Sequence, residues 1–353
     1  MISDSLLINI LWVTVGAFLL TAFLVPLVKL LAFRIGAVDK PNQRKVHTKV
    51  MPRMGGLAIY AAYWVATFLA LPADRPLVGA FLGATLLVFV GIVDDMTDMP
   101  AKLKLLGQII AAGIACAGGV RIEFVTGFIG ADLLNLAWLS VPVSIIWMVA
   151  IINAINLIDG LDGLAAGVSC IAAVSMAIVA LQNQDVHMAL MAVGLAGAAL
   201  GFLLYNFHPA SIFMGDTGSM FLGYMLAVIS IHSASKGLTV VSVFIPILIL
   251  GVPIFDTLFA IIRRSLAGQP IFEADKAHLH HCLLRMGLSH RNTVLLIYAI
   301  SAGLSLAALV VNSLTTAKGF LVFVLVLLLV LYGAHRLGIL GKANQINQKE
   351  QKK

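Results

Sequence analysis

The stretch NAINLIDGLDGLAAG, residues 153–167, begins as the continuation of an apolar run and then changes character. WMVAII precedes it and VSCIAAV follows, segments that lipid would accept, yet between them stand two asparagines, two aspartates and three glycines. Asn153, Asn156, Asp159 and Asp162 recur at every third residue. On an α-helix of 3.6 residues per turn each such step drifts by about 60°, so the four fan over roughly 180°. They reach one cleft only if the helix tightens or breaks, and Gly160 and Gly163 permit a break. An unwound helix end in a membrane protein is tolerated where it lines a water-filled cavity, so the stretch predicts a polar site at a membrane helix end. A helix–helix interface of small residues with asparagine as glue accounts for Asn153 and Asn156 but leaves both aspartates unexplained.

The rest of the chain supports a membrane setting. Of its 353 residues 61% are hydrophobic and 11% charged, with a mean hydropathy of +1.03; soluble domains run at about 45–50% and about 25%. The fold expected is all-α, a polytopic integral membrane protein. Apolar runs near 5–30, 55–71, 77–93, 105–119, 138–156, 163–181, 187–205, 219–232, 239–261, 293–312 and 318–335 make about eleven transmembrane helices. They form a single catalytic domain over 1–341, followed by a basic tail, 342–353, expected to be disordered. MISDSLLIN has an acid and no base before its apolar run, so the first segment reads as a retained span and not as a cleaved signal. With the N-terminus outside and the C-terminus inside, all but Arg75, Arg121, Lys236 and Lys318 of the 23 bases fall on the cytoplasmic side. That topology explains the net charge of +7, and no patch of bases with interleaved aromatics points to nucleic acid. Cys116, Cys170 and Cys282 are odd in number and make no disulfide framework. There is no internal repeat, and the outer loop RIEFVTGFIGADLLNLAW is expected to form a small hairpin.

The acids fall into a pattern. Asp94, Asp95, Asp98, Asp159, Asp162, Asp216 and Asp256 all lie at or near the inner ends of spans, whereas the outer acids are scattered singly. Ionisable groups in a bilayer are costly, so such a grouping predicts a shared cytoplasmic cleft. In DDMTD, a helix that continued past Asp95 would bring Asp98 near both preceding aspartates. Carboxylates held that close need a cation between them, and oxygen ligands of this kind beside a phosphate suit Mg²⁺. Lys102 and Lys104 follow, either to hold phosphate oxygens or to snorkel to the interface. FHPASIFMGDTGS, residues 207–219, sets Asp216 between glycines at a helix start without the GK[ST] of a Walker loop.

Two inner loops are rich in donors. VDKPNQRKVHTKVMPRMGG carries His47 and Arg53 among other bases, which suits anionic headgroups or a substrate diphosphate. EADKAHLHHCLLR presents His278, His280 and His281 for phosphate or diphosphate recognition. A zinc reading of His278 with Cys282 lacks a second ligand pair at finger-like spacing.

Taken in order, DKPNQRKVH…PRMGG, DDMTD, NAINLIDGLDGL, FMGDTGS and HLHH resemble the motifs of the polyprenyl-phosphate N-acetylhexosamine-1-phosphate transferases, over about residues 35–285. The resemblance implies a multi-pass enzyme of the bacterial plasma membrane with its active site facing the cytoplasm. It would transfer a sugar 1-phosphate, GlcNAc-1-phosphate foremost, from a UDP-sugar to undecaprenyl phosphate and release UMP. Mg²⁺ would be the cofactor, with Mn²⁺ as a substitute. Such a transfer is the first membrane step toward a cell-envelope polysaccharide, teichoic acid or O-antigen. By the same resemblance Asp94 and Asp95 contact the metal or activate the lipid phosphate, and Asp216 is a metal ligand. Asn156, Asp159 and Asp162 lie at the nucleotide and catalytic centre, Phe213 stacks on uracil, and His280 and His281 hold the donor's sugar or diphosphate. The branch that uses UDP-N-acetylmuramoyl-pentapeptide carries three consecutive histidines and then an acid, where this chain has HLHHCL. The teichoic acid and O-antigen branch carries Arg after the second paired histidine, where this chain has Cys282, with Arg285 one turn on.

In the expected reaction the carrier's phosphate oxygen attacks the β-phosphorus of the donor, directly or through a phospho-aspartate. The isoprenoid lies in apolar grooves between spans, one of them opened by kinks near Pro246 and Pro253. Besides membrane lipids, a second copy of the chain is an open partner. A cation-coupled transporter, the rival class, would hold its acids near the bilayer midplane, and a prenyltransferase would need a second aspartate-rich cluster.

Overall fold

The computed structural model describes residues 4–39, 50–126, 133–236, 241–269 and 277–339. His47 and the basic tail 342–353 lie outside the described residues. The chain is mostly helical. In order it forms α1 (Asp4–Ile35), β1 (Val38–Asp39), β2 (Met51–Pro52), α2 (Gly56–Ala70), α3 (Arg75–Thr97) and α4 (Ala101–Gly118). A hairpin of β3 (Phe124–Thr126) and β4 (Leu133–Asn135) follows, pairing Val125 with Leu134, and is the one expected in the outer loop. Then come α5 (Ser140–Ile158), α6 (Leu164–Gln182), α7 (Val186–Asn206), α8 (Gly215–Lys236), α9 (Val241–Ile249), α10 (Gly251–Leu266), α11 (Leu279–Arg285), α12 (His290–Ser313) and α13 (Thr316–Arg336).

Local signals set several boundaries. Asp74 caps α3 by accepting from Leu77 N at 2.9 Å, and Asp185 caps α7 by accepting from Met188 N at 3.2 Å. The break anticipated after the opening asparagines is present: α5 stops at Ile158, and Gly163 takes φ 78° immediately before α6. That positive φ suits glycine because no Cβ opposes it.

Eight described helices are long and apolar enough to cross a membrane. The span expected over 239–261 is instead a broken pair, α9 and α10, bent by 85° around Leu250, and counts as a ninth if taken as one crossing. α2, at 15 residues, is shorter than a full crossing. In lipid, helices gain little from apolar burial against one another and associate instead through close van der Waals contact. The sequence supplies small residues for it: Gly194, Gly197 and Gly201 line α7 where α1 crosses, and a Cβ on Gly201 would come within 2.9 Å of Thr21 Cβ. α8 is the axis of the bundle, packed by α2, α3, α5, α6 and α7, with Met220 to Val228 almost wholly buried. Gly56 of α2 meets Gly218 of α8 backbone to backbone, and a Cβ on Gly91 of α3 would come within 2.5 Å of Thr217 Cα. Any side chain there would push α2 or α3 off α8 at the end that carries Asp216. α1 and α13 turn large apolar side chains outward, among them Trp12, Phe23, Leu325 and Leu329.

Candidate active site

Asp94 and Asp95 end α3 as buried residues, and Asp216 opens α8 beside them. One carboxylate oxygen from each of the three lies within 4.8 Å of the others. Lys104, one turn into α4, points inward and not to the interface: its Nζ is 2.9 Å from Asp94 Oδ2 and also bonds Asp216 Oδ2. Lys102, by contrast, is exposed. An ammonium group thus stands between two carboxylates that would otherwise repel.

Asp95 is engaged differently. Its Oδ1 accepts from Asp216 N at 2.9 Å, and its Oδ2 accepts from Thr217 N at 3.1 Å and Thr217 Oγ1 at 2.7 Å. Arg53 Nε stands 3.5 Å from Oδ1. A carboxylate offers about four lone-pair directions, and these donors occupy them. The free amides of α8 do hold an anion, as a helix start favours, but the anion is the Asp95 side chain. Asp94 keeps more capacity: among the described residues it accepts from Met99 N at 2.9 Å and from Lys104, and it lies within hydrogen-bond reach of the Asp216 side chain.

Asp98 does not join its neighbours. α3 ends at Thr97, Asp98 takes a left-handed conformation (φ 50°), and its side chain is 91% exposed, 3.5 Å from Arg53 NH1. The continuing helix expected from DDMTD is cut off one residue too early. Arg53 sits where β2 leads into α2, close to this carboxylate end. Burial works against its charge, but Asp95, Asp216, Asp39 and Asp98 together raise its pKa above the usual arginine value.

The α5–α6 turn supplies the other wall. Asn156 Nδ2 donates to Ser219 Oγ at 2.8 Å, which brings it alongside Asp216. Asn153 turns elsewhere, pairing with Gln108 at 2.7 Å between α4 and α5, as the drift of a regular helix requires. Asp159 falls just after the last turn of α5, where burial, then the nearby carboxylates of Asp216 and Asp95, push its pKa up to about 8. Asp162 swings off to His208, with its Oδ2 2.8 Å from His208 Nδ1, and so departs from the carboxylate cluster.

The histidine segment divides as well. His280 is buried beside the α5–α6 turn, and a Cβ on Gly160 would come within 2.6 Å of its Nε2. Burial, then the adjacent His281, push the His280 pKa down to about 3, so it is a neutral hydrogen-bonding group and not a cation. His281 lies 4.1 Å from it, ring centre to ring centre. His278, expected to touch substrate, is instead buried against Asp256 of α10, Nδ1 to Oδ2 at 2.9 Å. Asp256 therefore belongs to this junction and not to the carboxylate cluster. Arg285 NH2 donates to Cys282 Sγ at 3.2 Å, so its guanidinium reaches the position after the paired histidines. All three cysteines are free. Phe213 is half-buried in the strap joining α7 to α8, whose backbone pairs with Pro52 O at 2.9 Å and Gly55 N at 3.0 Å.

Residues 77–234 match the family model described as glycosyl transferase family 4. The chain is 44% identical over 327 residues to a protein of Bacillus subtilis named "Probable undecaprenyl-phosphate N-acetylglucosaminyl 1-phosphate transferase", covering 92% of this chain and 91% of that one. The chain belongs to glycosyl transferase family 4. It is 36% identical over 313 residues to the "Decaprenyl-phosphate N-acetylglucosaminephosphotransferase" of Mycobacterium tuberculosis H37Rv, covering 80% and 77%. It is 28% identical over 309 residues to the "Undecaprenyl-phosphate alpha-N-acetylglucosaminyl 1-phosphate transferase" of Yersinia pestis, covering 86% and 84%. These relatives place it among the polyprenyl-phosphate N-acetylhexosamine-1-phosphate transferases. In this family 4 chain the matched span runs from α3 into α8 and holds Asp94, Asp95, Lys104, Asn156, Asp159, Phe213 and Asp216. Arg53, His278, His280 and His281 enter from outside it.

Several residues of the site escaped the sequence reading. Thr217 and Ser219 anchor Asp95 and Asn156. Asn206, at the end of α7, accepts from Gly163 N and donates to Ile212 O, both at 3.0 Å, so it ties the start of α6 to the strap before α8. The one available signal for Asn206 was a polar residue closing an apolar run just ahead of a proline.

Proposed function

We propose that this family 4 transferase moves GlcNAc-1-phosphate from UDP-GlcNAc to undecaprenyl phosphate, releasing UMP. The observation that carries the reading is the meeting of Asp94 and Asp216, from α3 and α8, on the single ammonium of Lys104. The printed names of the relatives support the lipid acceptor and the N-acetylglucosaminyl 1-phosphate group. We read the N-terminus as outside, so that the site faces the cytoplasm at the inner membrane, from the asymmetry of the bases.

The donor set fits Mg²⁺, because it consists of carboxylate oxygens with a cation already balancing two of them. Asp216 and Asp94 would hold the ion, and Asp95, its lone pairs occupied, would position Asp216. When bound, Mg²⁺ supplies charge neutralisation for the diphosphate. The chain's own part is placement and electrostatics, on which phosphoryl transfer chiefly depends. Lys104 is freed to meet phosphate oxygens, and Arg53 stands on the same rim. His280, neutral against Gly160, donates or accepts at the donor. The carrier's phosphate oxygen forms a bond to the β-phosphorus as the bridging bond to the α-phosphate breaks, and the electron pair leaves with UMP. The bend between α9 and α10 gives the isoprenoid a way in between helices.

The test is the purified chain in lipid nanodiscs with undecaprenyl phosphate, Mg²⁺ or Mn²⁺, and a panel of UDP-sugars. UMP and lipid-linked GlcNAc-phosphate should appear together from UDP-GlcNAc. UMP without a lipid product, or equal turnover of UDP-N-acetylmuramoyl-pentapeptide, would overturn the assignment.

A further inference from the structure

A second group of ligating side chains lies apart from the carboxylate cluster. Asp162 comes from the α5–α6 turn, His208 from the strap after α7, and His290 is the first residue of α12. One ligand atom from each lies within 4.8 Å of the other two. Asp162 Oδ2 is 2.8 Å from His208 Nδ1 and also accepts from Ala210 N at 3.1 Å. The two imidazoles stack with centroids 4.2 Å apart and planes 19° from parallel. His290 Nε2 is buried and finds no hydrogen-bond partner among the described residues. A buried ring nitrogen without a partner costs stability, and a metal lone-pair acceptor is one group that would satisfy it.

We propose that Asp162, His208 and His290 form a binding site for a transition-metal ion of the zinc class, separate from the carboxylate site. Two imidazoles and one carboxylate suit zinc and its neighbours and are a poor match for Mg²⁺, which prefers oxygen throughout. Zinc bonds nitrogen and oxygen at about 2.0–2.2 Å, so a small splay of the stacked rings brings the three atoms onto one ion. Binding displaces the proton shared by Asp162 and His208. Three protein ligands leave a fourth position for water or an anion, and His208, its side chain 41% exposed, places that position at the solvent edge. The ion joins three segments: the turn that carries Asp159, the strap that leads to Asp216, and the start of α12. Occupancy therefore stiffens both walls of the carboxylate site without entering it. The site stands whether or not the donor and acceptor proposed above are correct.

The experiment uses full-length protein freed of any histidine tag, kept in excess Mg²⁺, equilibrated with Zn²⁺ and analysed for retained metal after gel filtration. About one Zn²⁺ per chain is expected. Affinity should fall about tenfold or more in His208→Ala and His290→Ala and stay unchanged in Asp216→Asn and His281→Ala. Co²⁺ added to the unaltered protein should give the visible absorption of an imidazole-ligated ion, a readout independent of how the variants fold. Zn²⁺ that does not survive gel filtration, binding indifferent to both histidines, or binding abolished by Asp216→Asn would each overturn the site in favour of a plain Asp162–His208 hydrogen bond.

Discussion

The α3–α8 junction and the α10–α11 junction use the same device for different ends. In each, a buried aspartate on one helix closes the start of another. Asp95 accepts from Asp216 N and Thr217 N at the head of α8, and Asp256 accepts from Leu279 N at 2.8 Å at the head of α11. Such a contact satisfies amides that no intrahelical carbonyl can reach. In each case a residue at or just past the cap, Asp216 in one and His280 in the other, is turned toward the site. The difference lies in the company. Asp95 faces Arg53 and the carboxylate of Asp216, so its loss disturbs a charged network. Asp256 faces His278, and its loss disturbs the aim of one short helix. A carboxylate that looks catalytic in sequence can therefore act by setting the direction of its neighbour.

Variants can break that comparison at graded cost. Asp216→Asn, which removes a proposed metal ligand without touching either cap, should lower the rate of UMP release by about a thousandfold, the scale of losing a preorganised charge stabiliser. Asp95→Asn should come close to it and also destabilise the protein by about 1–3 kcal/mol, because an amide NH₂ would face donors of Thr217; thermal unfolding together with turnover reads both. Asp256→Asn should cost about ten- to a hundredfold, as for an outer-shell partner, and raise KM for the donor more than it lowers kcat. Equal losses in Asp95→Asn and Asp256→Asn would erase the distinction.

Two smaller effects sharpen it. Asp159 keeps its proton up to about pH 8 in the folded protein, whereas an unfolded chain releases it near pH 3.9. Between those values the folded state binds the extra proton, so stability declines as pH rises. The metal-free protein should lose about 2 kcal/mol from pH 6 to pH 8, measured by denaturation, and Asp159→Asn should flatten that slope. Asn312→Ala, at the far end of α12 where Asn312 Nδ2 donates to Gln182 Oε1 at 2.7 Å, should change stability by less than about 0.5 kcal/mol and leave turnover alone.

Much of the fold was legible because bilayer spans are written as long apolar runs. The helices from α3 to α7 start and stop within a few residues of the runs at 77–93 through 187–205. The run over 239–261 is split by an 85° bend at Leu250, which hydropathy does not report but which falls between Pro246 and Pro253, where kinks were expected. In the site, Asp94, Asp95, Asp216, Asn156 and Lys104 announced themselves as polar residues at apolar ends. Thr217 and Ser219 did not, because small hydroxyl residues are ordinary in membrane helices. Asp98, Asp162 and His278 carried the same sequence signal as their neighbours and point elsewhere.

What the sequence determined by itself was the membrane setting, the order of the helices and the presence of acids at their ends, because each depends on composition within one short window. Which carboxylate meets the Lys104 ammonium, which one caps and which pairs with a histidine was decided only by tertiary structure. Those roles depend on whether a second helix presents an amide, an ammonium group or an imidazole within 3 Å or so. The partners stand far off along the chain, Asp95 with Thr217 and Asp256 with His278, and only packing around α8 and α10 brings them together.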